Sequence, residues 1–228
     1  NEVVIAPGTV IISAVGEVMD ITKTVSPVIE PIEGSKLIYI NLSQDTFKLG
    51  GSSFAQVLNL LGNEVPTVRD ESYFGRAFET IQQLLKQDLV LAGHDVSEGG
   101  LITTLLEMCF AVPGVGLTLN IQDLGDDLIK ILFSENPAVV LQVEEEQKVL
   151  DLLAGAGITF SILGHVSAMR RISIHHHHEL LSLDIDELRD VWFQTSYRLD
   201  SRQRSVAHAE KRYHNYKNQV LEFAFQPR

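Results

Sequence analysis

Apolar and polar positions alternate along the chain in a way that predicts a mixture of short strands and helices. β-branched and aromatic residues dominate two early runs, 9–18 and 36–42, and both predict strands, the first of them buried. Apolar residues recur at three- and four-residue spacing across 71–87, where Phe74 and Phe78 begin a stripe that predicts one buried helix face. Further strands are predicted at 89–92, 116–121, 138–143, 158–163 and 170–174, and further helices at 54–61, 101–111, 127–133 and 145–154.

The pattern changes near residue 184. Asp184 followed by Glu187 has the spacing of a capping box and predicts the start of another helix. Beyond Asp200 the chain is rich in Arg, His, Lys, Asn and Gln, which predicts a helical appendage or linker over 201–228 beside one domain over 1–200. The apolar face of the helix that follows Asp184 is expected to consist of Leu188, Val191, Trp192 and Leu199.

The order of these elements favours an α+β fold. About seven strands are predicted, and they do not alternate strictly with helices. A doubly wound parallel sheet requires that alternation, because each parallel connection crosses over through a helix. We therefore expect a mixed β-sheet covered by helices.

A first glycine loop, Gly50-Gly51-Ser52-Ser53, stands between a predicted strand and a predicted helix. Two glycines let the backbone approach a ligand closely, and amides at a helix start suit an anion such as phosphate. Gly50, Gly51 and Ser52 are therefore candidate phosphate-binding residues. The same residues also fit an ordinary turn in which a serine caps the helix, so both interpretations stay open.

A second glycine loop follows the predicted strand 89–92, at the strand end where α/β folds place ligands. His94 could donate to a phosphate or carbonyl oxygen or relay a proton, and Asp95 could orient it or accept from a substrate amine. The Ser97 hydroxyl and the amides of Gly99 and Gly100 could hold an anion. In the structural alternative Ser97 caps a helix, Asp95 sits in a turn and His94 is a packing residue.

Three features outside these loops could also carry chemistry. Glu135 precedes a predicted strand and could contact a ligand hydroxyl, ammonium or phosphate group, although a loop glutamate is usually only solvated. Cys109 lies in an apolar helix, which favours a core residue over a nucleophile. Residues 175–178 are four consecutive histidines, but neighbours on a strand point to opposite faces, so a solvated strand end is favoured over a metal site.

Composition and charge narrow the classes of function. The 228 residues carry 18 Lys and Arg against 30 Asp and Glu, a net charge of -12, which disfavours binding to nucleic acid. A single cysteine excludes an internal disulfide and fits a reducing cytoplasm. No apolar run is long enough for a membrane span, and the start has no signal-peptide pattern. Because the chain starts with Asn1 at a strand-like run, we also expect it to be a piece of a longer polypeptide.

Five runs resemble one family in the right order from about residue 7 to about residue 200. They are PGTVIISAVGEVMDITKTVSP, LGGSSFAQ, GHDVSEGGLITTLLEMCFA, LFSENPAVVLQV and ELRDVWFQTSY. Together they resemble the second carboxyl-terminal module, of the aminoimidazole ribonucleotide synthetase type, in large-type phosphoribosylformylglycinamidine synthase. The HDVSEGGL run is the most specific of them.

This resemblance implies the fold of the aminoimidazole ribonucleotide synthetase carboxyl-terminal domain and an ATP-dependent ligase of purine biosynthesis. Such an enzyme converts the amide of formylglycinamide ribonucleotide into an amidine with ammonia released from glutamine. The module would form one wall of a cleft, while a separate ATP-binding module would bind most of the ATP and Mg, and a glutaminase domain would be a further partner. The positions that would face substrate or nucleotide phosphate are Gly50, Gly51, Ser52, His94, Asp95, Ser97, Gly99 and Gly100.

The chain lacks parts of the whole enzyme that the resemblance implies. It has no glutaminase cysteine in a nucleophile elbow and no ATP-binding half with acidic magnesium ligands, so the isolated chain is expected to be inactive. Such synthases hold two copies of this module, one nearer the chemistry and one more structural. Two alternatives remain: another member of the synthetase superfamily (selenophosphate, thiamine-phosphate or hydrogenase maturation), and a non-catalytic scaffold or oligomerisation module. An apolar patch beside a pocket at the glycine loops would favour a partner module.

Overall fold

A computed structural model describes residues 11–18 and 20–215 of the chain. Within them, seven strands join into one mixed sheet. The strands are β1 (Lys36–Asn41), β2 (Ala92–Val96), β3 (Gly116–Asn120), β4 (Ala138–Val143), β5 (Ser161–Ser167), β6 (Arg171–His176) and β7 (Glu179–Asp184).

The strand order is β2-β4-β1-β5-β3-β6-β7. Every neighbouring pair is antiparallel except β3 and β6, which run parallel. The predicted α+β architecture with a mixed sheet is therefore confirmed. β2 and β7 are the two edge strands of this sheet.

Helices cover both faces of the sheet. The side chains of α3 and α4 and the first residue of α6 belong to one apolar cluster, and those of α2 and α5 belong to the other. None of the described helices combines the length and the apolarity needed to cross a membrane. The helices are α1 (Ser53–Val57), α2 (Glu71–Lys86), α3 (Gly100–Phe110), α4 (Leu128–Phe133), α5 (Glu146–Gly155), α6 (Ile185–Gln203) and α7 (Val206–Asn215).

The central strand β1 is buried on both of its faces. Leu37 and Tyr39 belong to the cluster beneath α3, and Ile38 and Ile40 belong to the cluster beneath α2. Because successive side chains of a strand point to opposite sides, a strand between two helical layers must be apolar at nearly every position. This requirement explains the continuous apolar run that predicted the strand.

The predicted buried strand at 9–18 is wrong for residues 11–18. These residues are exposed and irregular, with the side chains of Ile11, Ile12 and Val15 open to solvent, and they pair with no strand of the described sheet. A strand needs a hydrogen-bonding neighbour, which β-branched composition alone does not supply. The first two residues of the predicted strand, Thr9 and Val10, lie outside the described residues.

The predicted strand at 89–92 is also displaced. β2 begins at Ala92, while Leu89 and Val90 are buried before it. The Leu89 amide donates to the Leu84 carbonyl, and Asp88 has a φ of 58°, so this part of the run closes the end of α2. His94 and Asp95 consequently lie within β2 and not in the loop that follows it.

The other end of the sheet differs from the prediction as well. β5 begins at Ser161 rather than at residue 158, and β7 was not predicted at all. No residue of β7 is fully buried, since it is an edge strand, so its sequence lacks the apolar run that marks a buried strand.

Two predicted helix faces are wrong in detail. The helix predicted over 54–61 ends at Val57, because Asn59 and Gly62 take positive φ values and leave Leu58 and Leu61 exposed. In α2 the buried stripe is rotated relative to the prediction, so that Phe78 is 55% exposed. Its fully buried members are Tyr73, Ala77, Thr80, Ile81 and Leu84.

The carboxyl-terminal region is helical as predicted, but α6 runs across residue 200 and its apolar face differs from the prediction. Asp184 caps α6, its carboxylate accepting from the Asp186 and Glu187 amides, and α7 continues the predicted helical appendage to residue 215. The Tyr213 hydroxyl joins α7 to α6 by donating to the Asp190 carbonyl at 3.0 Å. The predicted apolar face of α6 is largely open, since Val191, Trp192 and Leu199 are each more than half exposed.

Arg170 ties α3 to the start of β6 and to α6. Its guanidinium donates to the carbonyls of Cys109 and Val112, each at 2.7 Å, and pairs with the Asp186 carboxylate at 2.9 Å. These carbonyls lie where α3 ends, so the cation also interacts favourably with the negative end of the helix. The contact fixes the end of the helix whose other end carries the second glycine loop.

Candidate functional site

The two glycine loops meet at one side chain, Glu135. Its Oε1 accepts from the Ser53 amide of the first loop and from the Gly99 amide of the second, each at 2.8 Å. The segment before it packs against the first loop, since Phe133 stacks on Phe54 with ring centroids 4.6 Å apart. Loops that are 46 residues apart in the chain, counted from Ser53 to Gly99, thus share one acceptor atom.

Other amides of these loops also have acceptors within the protein. The Gly50 amide donates to the Glu64 carbonyl at 2.8 Å and the Gly51 amide to the Leu61 carbonyl at 2.7 Å. Two further amides complete short turns inside the loops: Ser52 donates to Leu49 and Gly100 to Ser97. A phosphate at these loops would therefore have to replace an existing hydrogen bond, which modifies the expectation of free anion-binding amides.

The first loop needs glycine at its first position. A Cβ on Gly50 would lie 2.3 Å from the Glu64 carbonyl oxygen, closer than any carbon can approach. Gly50 therefore serves the contact between the loop and the 58–65 segment. Ser52 caps α1, its Oγ accepting from the Ala55 amide at 3.2 Å, as the structural alternative predicted, while a contact of Ser52 with phosphate stays a prediction.

The second loop differs from its predicted capping arrangement. Ser97 is exposed and does not cap α3, whose N-cap residue is Gly99 with a φ of 86°. The chain turns back at Gly99 and Gly100, both with positive φ, which L-residues adopt at a cost. Ser97 is therefore accessible beside the edge of the sheet.

His94 lies between two carboxylates. Its Nδ1 is 2.8 Å from the Asp95 carbonyl oxygen, which can only accept, so Nδ1 carries the proton. Its Nε2 lies 3.6 Å from Glu107 Oε2 on α3. Partial burial raises the pKa of the Glu107 carboxyl, an effect that His94 opposes and Asp95 adds to. The His94 ring is thus oriented by the strand and by α3.

His94 and Asp95 both line a cleft beside β2. This cleft has a volume of about 700 Å³ and lies between α2, β2 and residues 17–18 and 20–25. Its charged lining includes Lys23 and Lys86 beside Asp20. Among the described residues, no hydrogen bond or ion pair joins the side chains of His94 or Asp95 to the first glycine loop. The predicted residues therefore form two groups, one at Glu135 and one at this cleft.

Asn136 and Asp45 hold the segment that leads into the first loop. The Asn136 amide group donates to Ser43 Oγ and to the Thr46 carbonyl, at 3.2 and 3.1 Å. The Asp45 carboxylate, whose side chain is 6% exposed, pairs with Lys48 at 2.8 Å and with Arg69 at 3.1 Å. These contacts fix the position of the segment that leads into the first glycine loop.

Asp45 is expected to make stability depend on acid pH. The hydrogen bond from Lys48, followed by those from Arg69 and the Thr67 and Thr46 amides, holds the pKa of Asp45 well below its usual range. A folded-state pKa below the unfolded value of about 3.9 stabilises the fold above about pH 4, and this contribution is lost as the pH falls through the folded-state pKa. Asp45→Asn should therefore lower the free energy of unfolding at pH 7, with the difference from wild type shrinking below pH 4.

Urea unfolding at several pH values measures this difference. Asp123→Asn is the matched control, because Asp123 is exposed and has no hydrogen bond or ion pair among the described residues. A difference between Asp45→Asn and wild type that stays constant from pH 7 to pH 3 would contradict this explanation.

Two features predicted to be structural occupy structural positions. Cys109 is fully buried, and burial raises the pKa of its thiol to about 12, so the expected core role is confirmed. His175, near the end of β6, and His177 and His178, in the turn between β6 and β7, are exposed, as expected for a solvated strand end. His176 is an exception: it follows Ile172 and Ile174 on the buried face of β6, where its Nε2 lies 2.8 Å from the Gly125 carbonyl oxygen. Within 11–18 and 20–215, no three His, Cys, Asp or Glu side chains are grouped as metal ligands.

The sequence did not identify Glu107 and Asn136. Glu107 is a charged residue in a helix predicted to be apolar nearly all round, and that exception was the available signal. Asn136 stands between Glu135 and Pro137, in a position that resembles any turn residue. Its role depends on contacts with residues about 90 positions away, which no local pattern reveals.

An exposed apolar segment lies beside the first glycine loop. Residues 57–65 supply the carbonyl acceptors for Gly50 and Gly51, yet their apolar side chains point into solvent. Several exposed apolar side chains within one short segment are typical of an interaction site. The side chains that are more than half exposed are Val57, Leu58, Leu60, Leu61 and Val65.

Comparison with known proteins places these observations in context. The chain is 39% identical over 222 residues to the Homo sapiens protein "Phosphoribosylformylglycinamidine synthase", an alignment that covers 92% of this chain and 16% of that protein. It is 36% identical over 219 residues to an Arabidopsis thaliana protein named "Probable phosphoribosylformylglycinamidine synthase, chloroplastic/mitochondrial", covering 92% and 15%. The chain thus spans about one sixth of the length of these relatives.

Solved structures share the fold. The Thermotoga maritima structure titled "T. maritima PurL complexed with FGAR" matches with a TM-score of 0.58 at 15% identity, covering 74% of this chain and 30% of that one. The structure titled "T. maritima PurL complexed with ATP" matches with a TM-score of 0.57 at 12% identity, covering 74% and 28%. The family model described as "AIR synthase related protein, C-terminal domain" matches residues 33–177. This range contains β1 to β6 and ends before β7. The chain therefore belongs to the family of AIR synthase related proteins and contains its carboxyl-terminal domain.

Proposed function

We propose that the chain is a module of a phosphoribosylformylglycinamidine synthase and forms one wall of its substrate and nucleotide cleft. The whole enzyme would convert formylglycinamide ribonucleotide into the amidine, using ATP and ammonia derived from glutamine. The proposal is supported by similarity over 92% of the chain to relatives that carry this name. The observation that carries it is the uncovered apolar segment 57–65, which is hydrogen-bonded to the first glycine loop.

The apolar segment suits a partner module of the same polypeptide. The relatives are about six times longer than the part that matches, so they contain further domains. We infer that an ATP-binding module packs on residues 57–65 and completes the cleft, and that a glutaminase domain supplies ammonia. Burying five apolar side chains in such an interface would recover the hydrophobic stabilisation that their exposure here forgoes.

The described residues of this chain offer few of the contacts that ATP with Mg would need. The loop amides named above have protein acceptors, and the described residues contain no group of three metal ligands. The partner module would therefore supply most contacts to the nucleotide and its metal ion. His94, Asp95 and Ser97 remain the proposed contacts from this wall, since the 700 Å³ cleft borders His94 and Asp95, and Ser97 follows them at the exposed strand end.

A non-catalytic scaffold role is the second candidate. The loop amides named above already donate to acceptors within the protein. This favours a scaffold role, because a loop that binds a ligand usually keeps some N–H groups free to donate to it. In that case the module would hold neighbouring domains in place without touching substrate. A cytoplasmic location remains a prediction from the single buried cysteine.

Calorimetric titration tests whether this module binds the ligands only together with the other modules of the full-length protein. ATP and formylglycinamide ribonucleotide should give no measurable heat of binding with the 228-residue chain, and clear binding with the full-length protein that contains it. The expected contrast follows from the incomplete donor set described above. Binding to the isolated chain as tight as that of the full-length protein would contradict the proposal of an incomplete wall.

A further inference from the structure

Among the hydrogen bonds of the described residues, Glu135 Oε1 is the only acceptor that receives a hydrogen bond from both glycine loops. Glu135 Oε1 accepts from Ser53 and Gly99, and both N···O distances are 2.8 Å. Hydrogen bonds to an ionised acceptor are roughly twice as strong as those between neutral groups. The carboxylate therefore contributes more than an ordinary turn hydrogen bond to the position of both loops.

The arrangement resembles the way in which a backbone binds an anion. Two N–H groups from separate loops converge on one negatively charged oxygen, as they do on a phosphate oxygen in loops that bind nucleotides. Here the anion belongs to the protein itself. The chain reaches this position from the end of α4, where Phe133 packs on Phe54 just before Glu135.

Four other amides of these loops already have acceptors within the protein. Gly50, Gly51, Ser52 and Gly100 all donate to backbone carbonyls at 2.7 to 3.1 Å. A phosphate that entered would have to compete with Glu135 directly, and the two negative charges would repel each other. Glu135 thus occupies the position at which an external anion would accept from both the Ser53 and the Gly99 amides.

We propose that Glu135 is a positioning residue that acts as an internal anion: it holds the two glycine loops together and excludes phosphate from their amides. This inference rests on the proposed function, because it specifies how the loops of that cleft are used. In this proposal the two hydrogen bonds to Glu135 keep both loops in place at the cleft. Ligand contacts from this wall then come from the His94 and Asp95 side, and not from the loop amides.

Hydrogen exchange at the Ser53 and Gly99 amides, followed by NMR in the 228-residue chain, tests the proposal. In Glu135→Ala both amides should exchange at least about tenfold faster than in wild type, since each loses a charge-assisted bond. Inorganic phosphate should then slow exchange at both amides in Glu135→Ala and leave wild type unchanged. Glu98→Ala is the matched control, because Glu98 is exposed in the same loop and has no hydrogen bond or ion pair among the described residues.

Glu135→Gln keeps an acceptor oxygen and loses the charge. It should show an intermediate increase in exchange and no response to phosphate, and it decides the question if the alanine variant does not fold. Unchanged exchange at both amides in Glu135→Gln and Glu135→Ala would overturn the proposal. So would phosphate protection that is equal in wild type and Glu135→Ala, or absent from Glu135→Ala. None of these readouts depends on turnover, so a failure here is distinct from a failure of the proposed enzymatic function.

Discussion

Gly100→Ala is expected to destabilise the chain by about 3 kcal/mol or more. Gly100 has a φ of 74°, and a Cβ there would lie 2.7 Å from the Leu132 carbonyl oxygen and 2.8 Å from the Phe133 backbone. Both neighbours are backbone atoms, so no side-chain rotation can relieve the overlap. The displaced segment is the one that leads to Glu135, and the substitution should therefore also separate the two glycine loops.

Gly114→Ala is the matched control for this effect. Gly114 has nearly the same φ, 78°, but a Cβ at this position would have no atom within 4 Å. It should cost only the backbone penalty of a left-handed alanine, about 1 kcal/mol. Urea unfolding of both variants separates the two contributions, and equal losses of stability would show that close packing at Gly100 is unimportant.

The second large effect is expected from Leu58→Glu combined with Leu61→Glu in the full-length protein. Two carboxylates in the proposed interface would have to be desolvated when the partner module packs on residues 57–65, and this cost should reduce amidine formation at least about tenfold. In the 228-residue chain both side chains are exposed, so the free energy of unfolding should change by no more than about 0.5 kcal/mol.

A control variant introduces the same two negative charges outside the proposed interface. Met169 and Leu180 are also exposed, lie outside residues 57–65, and can be replaced by glutamate together. This control should leave amidine formation near the wild-type rate. Wild-type turnover in the Leu58→Glu, Leu61→Glu protein would exclude residues 57–65 from the interface.

Local sequence pattern was enough to predict the buried elements of the fold. β4, five of whose six residues are apolar, and the helices α2, α3 and α5 lie within one or two residues of their predicted bounds, because their apolar spacing is set by the layers that they contact. The edge strand β7 escaped prediction since it is not fully buried at any position. For residues 11–18 the error is the reverse, since a strand was predicted where none is present. Their composition suits a strand, but no described strand pairs with them.

The candidate site was predictable as a set of residues and not as an arrangement. The two glycine loops were recognised, yet their meeting at Glu135 depends on contacts across 36 and 82 residues. The shift of His94 and Asp95 into β2 follows from the way α2 ends, a detail of Asp88 and Leu89 that apolar patterning does not encode. Long-range hydrogen bonds thus decide which loop amides remain available.

Amidine formation by the full-length protein is the most direct test of a role for this wall in the cleft. His94→Gln and Asp95→Asn should each reduce turnover or substrate affinity at least about tenfold, because each removes a polar contact proposed for the cleft. Glu98→Gln should match wild type, since its side chain is exposed and has no assigned role. Unchanged turnover and unchanged affinity for formylglycinamide ribonucleotide and ATP in both the His94 and the Asp95 variants would contradict the account and favour the scaffold role.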